Sequence, residues 1–578
     1  MSAPEPYAIV PSLAFDDLPG ALPGDVVPAD VNLERFSELA KEVLENFGEG
    51  CLTNDAIWRD FFAVTSRVRT FYGDKSISQE WKSRATRRPP TDFQTQPARI
   101  SRLAQNSNWV DVVFTFVVEQ EGGLIGDCFG ILSFVPAAEK GWKVWMLRTM
   151  LESFQGYGHP DDPSPIFNHP SIAQRPDNEY DVVIIGAGQS GLSLAGRLGA
   201  LGIKYLLLEK AETIGYSWTG KYDSVRQHTV KEMNNLPFDR TYKKEDPILL
   251  PSKTVAEGFK NYVDKYKINI SLGAQTQRAI RNDGGWALDV RVGEIELRLD
   301  ASHLVLSMGA GVSVPNPPVV PCREDFKGNV LHQVGWKNAL SWKGKKGIVV
   351  GTGTTAHDVA QDMLDSGLSS ITMIQRDQTP VYPVEWIIQG QSSMSQRFLF
   401  FSHIEREKEM NIANRIKVVY NTEIPSPLAD RLVSLIPLKI ERQLMKANMD
   451  PLIASHSAQF DAVEKSGFKV DRKAVLTDLL LLRGGGYYID VGTSKRIADG
   501  EIKVKSGVRI QKFTKKGLKF EDGEELEADL VVFATGYQRD PRRQAAGILG
   551  DEIAGSLPWY RGLDEEGEIR GDMRPSGE

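Results

Sequence analysis

Tyr180-Asp181-Val182-Val183-Ile184-Ile185-Gly186-Ala187-Gly188-Gln189-Ser190-Gly191 is the stretch whose reading decides the architecture of most of this chain. An apolar run suited to a buried parallel strand ends at Gly186, and a helical pattern follows with Leu194, Leu198 and Leu201 on one face. Gly186 permits a tight turn, Gly188 lets the backbone approach a pyrophosphate, and Gly191 lets helix and strand pack closely. Gln189 and Ser190 stand where the helix opens, and its unpaired N–H groups suit phosphate oxygens. A second strand, Tyr205 to Leu208, ends in Glu209, 23 residues after Gly186. A carboxylate there accepts hydrogen bonds from both ribose hydroxyls and repels a 2′-phosphate.

The pattern recurs at Gly347-Ile348-Val349-Val350-Gly351-Thr352-Gly353-Thr354-Thr355-Ala356, with Ala in place of the third glycine. Its returning strand, Ile371 to Ile374, ends in Gln375-Arg376-Asp377. No acid occupies the ribose position, and the Arg376 guanidinium can pair with a 2′-phosphate, so this site is expected to prefer NADP over NAD. Asp377 beside it works against that preference. One pocket for a ribose diol and one for a 2′-phosphate imply FAD and NADPH working together. The expected cofactor contacts are Gly186, Gly188, Gln189, Ser190, Gly191 and Glu209 for the first, and Gly351, Gly353, Thr354, Thr355 and Arg376 for the second. The protein's part would be to bring the nicotinamide to the flavin and to control what meets the reduced ring.

At 578 residues the chain is long enough for about three to four domains. Charged residues at 25% and hydrophobic ones at 41% suit a folded enzyme, and a net charge of −7 argues against general nucleic-acid binding. Cys51, Cys128 and Cys322 are too few for a disulfide framework and lack metal-ligand spacing, so no metal is expected. None lies between Gly186 and Pro321, which excludes the redox cysteine pair of a disulfide reductase. The first residues carry no basic and apolar leader pattern, and no stretch reaches 18 uninterrupted apolar residues. A cytoplasmic enzyme without integral membrane association is the expectation, with a homodimer as its possible assembly.

Working towards the N-terminus, residues 1–30 read as a surface tail. Leu33, Phe36, Ala40, Val43, Leu44 and Phe47 predict a helix stopped by Gly48 and Gly50, and a second helical stretch is expected near Ile57 to Phe62. Trp109 to Val118, Cys128 to Val135 and Trp142 to Leu147 have strand character, with Gly122-Gly123 and Lys140-Gly141 as turns. Helices followed by a strand meander make residues 31–155 a small α+β unit. Its element order resembles the cone-shaped NTF2-like and SnoaL-like (polyketide-cyclase-like) families. Residues 156–178, dense in Pro, Gly, Asp and Asn, form a linker. The remainder is α/β: an FAD-binding domain over 179–345, an NADP-binding domain with a helical insertion over 346–504, and a second part of the FAD domain over 505–578.

Further motifs give the α/β region a family likeness. From about residue 179 onward it resembles the class B flavin-dependent monooxygenases, and within them the flavin-containing group that includes the plant auxin-forming enzymes. Gly215-Tyr216-Ser217-Trp218 stands where that family has G-x-x-W against the flavin, and Tyr222-Asp223-Ser224-Val225-Arg226-Gln227-His228 resembles its Y-D-x-L-x-L-H run. Leu304 to Gly309 with Val314 to Pro318, and Ala534-Thr535-Gly536-Tyr537, resemble its two A-T-G junctions; Gly351 to Asp358 resembles its G-x-G-x-S/T-A-H-D. Phe326 to Trp336 spells F-x-G-x-x-x-H-x-x-x-W. The Baeyer–Villiger group ends this fingerprint in Trp followed by Pro or Asp, whereas here Trp336 precedes Lys337.

The resemblance implies that Trp218, Thr535 and Gly536 also line the FAD site and that His332 couples domain motion. It makes His228 the candidate catalytic residue beside the flavin. The implied activity inserts one atom of O2 into a small organic substrate through a C4a-(hydro)peroxyflavin. Two alternatives stay open: a Baeyer–Villiger oxygenase acting on a ketone, and a non-catalytic flavoprotein with an N-terminal association module. The segment 383–480, with Leu432, Ile436 and Leu438, is expected to cap the substrate space. Gly484-Gly485-Gly486 either borders the cavity or makes a flexible turn. Only 41 residues follow Tyr537, ending in Arg574-Pro575-Ser576-Gly577-Glu578, where family members continue over the flavin; the expectation is a shortened FAD fold with weakened flavin binding.

Overall fold

Phe36, Ala40 and Leu44 share one face of α1 (Phe36–Glu45), and that face is buried against a sheet. The computed structural model describes residues 11–573 apart from 25, 105–106, 138–140, 169–177, 310–313, 387–419 and 421–424. Part of the 156–178 linker, much of the 383–480 segment and the final Arg574-Pro575-Ser576-Gly577-Glu578 therefore lie outside the described residues.

The N-terminal sheet comprises β1 (Leu52–Phe61), β2 (Val68–Tyr72), β3 (Thr91–Thr95), β4 (Arg99–Ala104), β5 (Ser107–Glu119), β6 (Ile125–Ala137) and β7 (Gly141–Phe154). Its order is β2-β1-β7-β6-β5-β3, with β4 also on β5; β1 runs parallel to β7 and the other pairs are antiparallel. Residues 57–61 are thus strand, not helix. Ile57 and Trp58 enter the cores on opposite faces of the sheet, the period of two that a strand imposes. The second helix is instead α2 (Asp74–Arg87), which buries only Ile77 and Trp81. It joins α1 over one face, around Trp58, Phe114 and Phe134.

After α3 (Ser164–Asn168) the chain enters β8 (Glu179–Ile185), which continues into α4 (Gln189–Ala200), β9 (Tyr205–Glu209), α5 (Tyr216–Thr219) and α6 (Ser252–Lys265). Then come β10 (Ile270–Leu272), β11 (Ala274–Asn282), β12 (Gly285–Val292) and β13 (Ile295–Leu306). The order β10-β9-β8-β13-β12-β11 puts β8 centrally, so Val183 and Ile184 are buried on opposite faces, which explains the uninterrupted apolar run. The first four strands in that order are parallel and the last pairs antiparallel.

The second α/β unit contains β14 (Asn329–His332), β15 (Lys346–Val350), α7 (Thr354–Asp365), β16 (Ser370–Gln375) and β17 (Val381–Pro383). The helices α8 (Ser426–Ser434), α9 (Leu438–Ser455) and α10 (Ser457–Lys465) follow, then β18 (Tyr488–Asp490), α11 (Thr493–Ala498) and β19 (Lys503–Ser506). A three-stranded antiparallel sheet of β20 (Ile510–Phe513), β21 (Gly517–Phe520) and β22 (Glu525–Glu527) precedes β23 (Leu530–Phe533). The parallel order β14-β23-β15-β16-β19 keeps β23 inside this sheet, and Phe513, Leu518 and Phe520 share its core. The return to the first unit comes after Phe533, later than the residue 505 expected from sequence. There α12 (Pro541–Leu549) and α13 (Asp551–Ser556) pack Ala545, Leu549 and Ala554 under Val183 and Leu208.

The apolar stripe of α8 and α9 has a different partner from the one expected. Leu432, Ile436, Ile440 and Leu444 cover the second face of the N-terminal sheet, against Ile57, Trp109, Ile131 and Trp145. Leu438 packs with Phe15, Leu18 and Leu563. The described part of the supposed tail is therefore tied down: Leu13 pairs with Leu563, and Lys439 Nζ donates to the Phe15 carbonyl at 2.6 Å. Arg59 makes a buried two-point contact to Glu568, Nε to Oε1 at 2.8 Å and Nη2 to Oε2 at 2.7 Å. Its Nη1 donates to the carbonyls of Ser434 and Ile436, which joins sheet, helical insertion and C-terminal segment at one guanidinium. Among the described residues no helix is long and apolar enough to cross a membrane, and no group of three or more His, Cys, Asp and Glu is arranged to hold a metal.

Candidate active site

Each nucleotide crevice is built where a parallel strand stops and a helix starts. Gly186 takes φ +104°, and a Cβ on it would stand 2.5 Å from the Ser307 carbonyl oxygen. At Gly191 an added Cβ would stand 2.0 Å from the Gly186 carbonyl oxygen. At Gly188 it would meet nothing within 4 Å, so the close packing lies below the turn and open space above it. Gln189 and Ser190 open α4 beside that space. Glu209 ends β9, its carboxylate accepting from the N–H of Ala187 and from that of Ala211, both at 2.9 Å. The acid is thereby held against the glycine turn. A tight floor, an open roof and a placed carboxylate fit an adenine dinucleotide with a free ribose diol.

In the second crevice a Cβ on Gly351 would stand 2.5 Å from the Ala534 carbonyl oxygen, while one at Gly353 would approach nothing nearer than the Tyr487 carbonyl at 3.7 Å. Ala356, in the third glycine position, is buried. Gln375 is buried and turned inward: it donates to Thr379 Oγ1 at 3.0 Å and the Lys469 carbonyl at 2.9 Å, and accepts from Lys469 N–H at 2.7 Å. That leaves Arg376 at the strand tip, 82% exposed and paired with Asp377 at 2.7 Å. A guanidinium there, and no carboxylate in the ribose position, fits a 2′-phosphate. Thr354 opens α7 and donates its N–H at 2.9 Å and its hydroxyl at 3.1 Å to the Tyr487 carbonyl; Thr355 follows it. The run Gly484, Gly485 and Gly486, with φ of +66°, +128° and +87°, leads directly to that carbonyl. Its place is therefore at the mouth of the second crevice.

The two junctions between the units are bonded to one another. Thr535 Oγ1 donates to the Asn316 carbonyl at 3.0 Å, Asn316 N–H to the Gly536 carbonyl at 3.2 Å, and a ring nitrogen of His332 lies 3.1 Å from that same carbonyl. Thr535 and Gly536 thus sit at the crossover with His332. In the first unit, Trp218 is half-buried in α5, with Lys221 Nζ 5.2 Å over its ring. His228 lies in the following loop, partly buried. Desolvation, aided by the Lys221 ammonium, pushes its pKa down to about 4, so its imidazole is neutral at physiological pH.

Three contacts here were not foreseen. Lys337, the residue that departs from the fingerprint, donates to the carbonyls of Thr219 at 3.2 Å and Lys221 at 2.8 Å and pairs with Asp223 at 3.3 Å. The Tyr222 hydroxyl donates to Asp358 Oδ2 at 2.7 Å, across from the loop after α5 to α7. The third is the Tyr487 carbonyl on Thr354. All join residues far apart in sequence, and single motifs gave no signal for them.

A family model described as pyridine nucleotide-disulphide oxidoreductase matches residues 183–422. Indole-3-pyruvate monooxygenase YUCCA1 of Oryza sativa subsp. japonica is 26% identical over 378 residues, 64% of this chain and 80% of the relative. The probable FAD-binding monooxygenase AlmA of Acinetobacter sp is 24% identical over 373 residues, 63% and 69% of the two chains. The chain is similar to these flavin-dependent monooxygenases over its α/β region. Among solved structures, cyclohexanone monooxygenase with bound epsilon-caprolactone aligns with a TM-score of 0.46 at 18% identity, over 66% of this chain and 80% of the other. The three cysteines, Cys51, Cys128 and Cys322, are free thiols.

Proposed function

We propose that the chain is an NADPH- and FAD-dependent monooxygenase that places one atom of O2 in a small organic substrate and the other in water. The observation that carries this reading is the contrast between the crevices: Glu209 pinned at the first glycine turn, Gln375 turned away and Arg376 left at the second. FAD in the first crevice would take a hydride from NADPH in the second and pass its electrons to O2. Substrate, O2, NADPH and one proton then become oxygenated substrate, NADP+ and water. The chain's own residues bind, orient and exclude solvent. His228, uncharged, offers a hydrogen bond near the ring without adding a positive charge. We read the N-terminal unit, long antiparallel strands under two helices, as NTF2-like.

The purified protein should be yellow, consume O2 with NADPH, and prefer NADPH to NADH. Indole-3-pyruvate, named for the rice relative, and cyclohexanone, named for the aligned structure, are the substrates to try first. A lactone from the ketone would move the reading to Baeyer–Villiger oxidation, which Trp336 supports. A colourless protein inert to NADPH would leave a non-catalytic relative.

A further inference from the structure

Tyr222 belongs to the flavin-side loop after α5, yet it is buried in the core of the nicotinamide unit. Together with Val225 it packs among Trp336, Ala339, Ala356, Val359 and Ala360. Its hydroxyl donates to Asp358 Oδ2 at 2.7 Å, on the second turn of the helix that opens at Thr354. The neighbouring tie of the same loop, Asp223 N–H to the Lys337 carbonyl at 3.0 Å, is a backbone contact at an exposed residue. The Tyr222–Asp358 bond therefore stands out as a part-buried side-chain link between the loop that carries Trp218 and His228 and the helix that would hold the nicotinamide cofactor.

We propose that Tyr222 and Asp358 are a positioning pair that sets the approach of the nicotinamide helix to the flavin loop. The argument rests on the reading of Gly351 to Thr355 as the NADPH site. Neither residue is a catalytic residue; both act through the segments they join. A hydroxyl donating to an ionised carboxylate makes a shorter and roughly twofold stronger bond than one between neutral groups. Burial pushes Asp358 up to about 6, opposed by the Tyr222 hydrogen bond and the Arg226 guanidinium. The groups facing the pair are Arg226 from the flavin loop, Thr355 on α7 itself and Tyr537 from the segment after β23. As the pH falls through about 6, Asp358 takes up a proton and the link weakens.

The test uses flavin-loaded full-length enzyme, wild type against Tyr222→Phe and Asp358→Asn. Three quantities are read: the anaerobic rate of flavin reduction by NADPH across pH, the affinity for NADP+, and backbone hydrogen exchange of residues 219–230 without nucleotide. The wild-type reduction rate should drop below pH 6. Tyr222→Phe should keep its flavin, exchange faster in the loop, bind NADP+ more weakly and be reduced at least about fivefold more slowly, the order set by one lost hydrogen bond to a charged group. Asp358→Asn mimics the protonated acid, so it should be reduced at the low wild-type rate of acid pH throughout the range and lose the pH dependence. Wild-type exchange, affinity and pH profile in both variants would overturn the proposal. A wild-type enzyme that NADPH cannot reduce would instead defeat the functional reading, while the exchange difference would still decide whether the pair orders the loop.

Discussion

Among the described residues Arg376 pairs with Asp377, and both side chains lie largely in solvent. Such a pair contributes about 0–1 kcal/mol, so a 2′-phosphate can displace the carboxylate at little cost. Arg376→Ala should raise the KM for NADPH about 10- to 100-fold, the equivalent of one or two charged hydrogen bonds. The KM for NADH should barely change, and steady-state kinetics with both nucleotides checks the difference. Glu209 answers for the other cofactor: Glu209→Ala should leave the fold intact and the protein depleted of flavin, read from the visible spectrum after gel filtration. Two histidines set a pH trend. Burial pushes His357, stacked on Tyr488 at 3.5 Å, down to about 3, and His228 down to about 4. Both folded values lie below the unfolded 6.5, so the unfolded chain binds more protons between those limits. The stability contributed by these two imidazoles should therefore be intact above about pH 6.5 and be lost as the pH drops towards 4, while the buried Asp358, pushed up to about 6, acts in the opposite sense; thermal melts of wild type against His357→Gln across this range isolate the histidine share.

At the level of elements, the glycine turns were legible because their constraint is local. The close approach of Ser307 and Gly186 backbone leaves no room for a Cβ, whatever the rest of the chain does. Gly191→Ala should accordingly push α4 off β8, with loss of flavin and a lower melting temperature. β1 was misread because Ile57, Trp58 and Phe61 also fit a helical spacing, and only the second covered face of the sheet shows why neighbouring positions are apolar. α2 escaped notice for the opposite reason. Of its 14 residues only Ile77 and Trp81 are buried, too few to write a stripe. The place of Gly484 to Gly486 was beyond sequence, since the group their turn presents is a main-chain carbonyl received by Thr354, 133 residues earlier.

At the scale of the whole molecule, the misreadings share a cause. The N-terminal segment looks like a tail until Leu563 and Lys439 are in place, and α8–α9 look like a cover for substrate until the sheet beneath them is seen. A chain lacking residues 1–155 should consequently expose the Leu432, Ile436, Ile440 and Leu444 stripe and associate or precipitate, measurable by light scattering. Glu568→Ala leaves the Arg59 guanidinium buried without its carboxylate, and should lower stability by about 3–5 kcal/mol in denaturant titrations. That same bond joins residues 509 apart in sequence. At about 5–20 residues per second a ribosome needs roughly half a minute or more to travel that distance. Throughout that interval the nascent N-terminal sheet carries a cation and an apolar flank awaiting material not yet translated, which makes it a natural client for chaperones and makes prematurely terminated products targets for degradation.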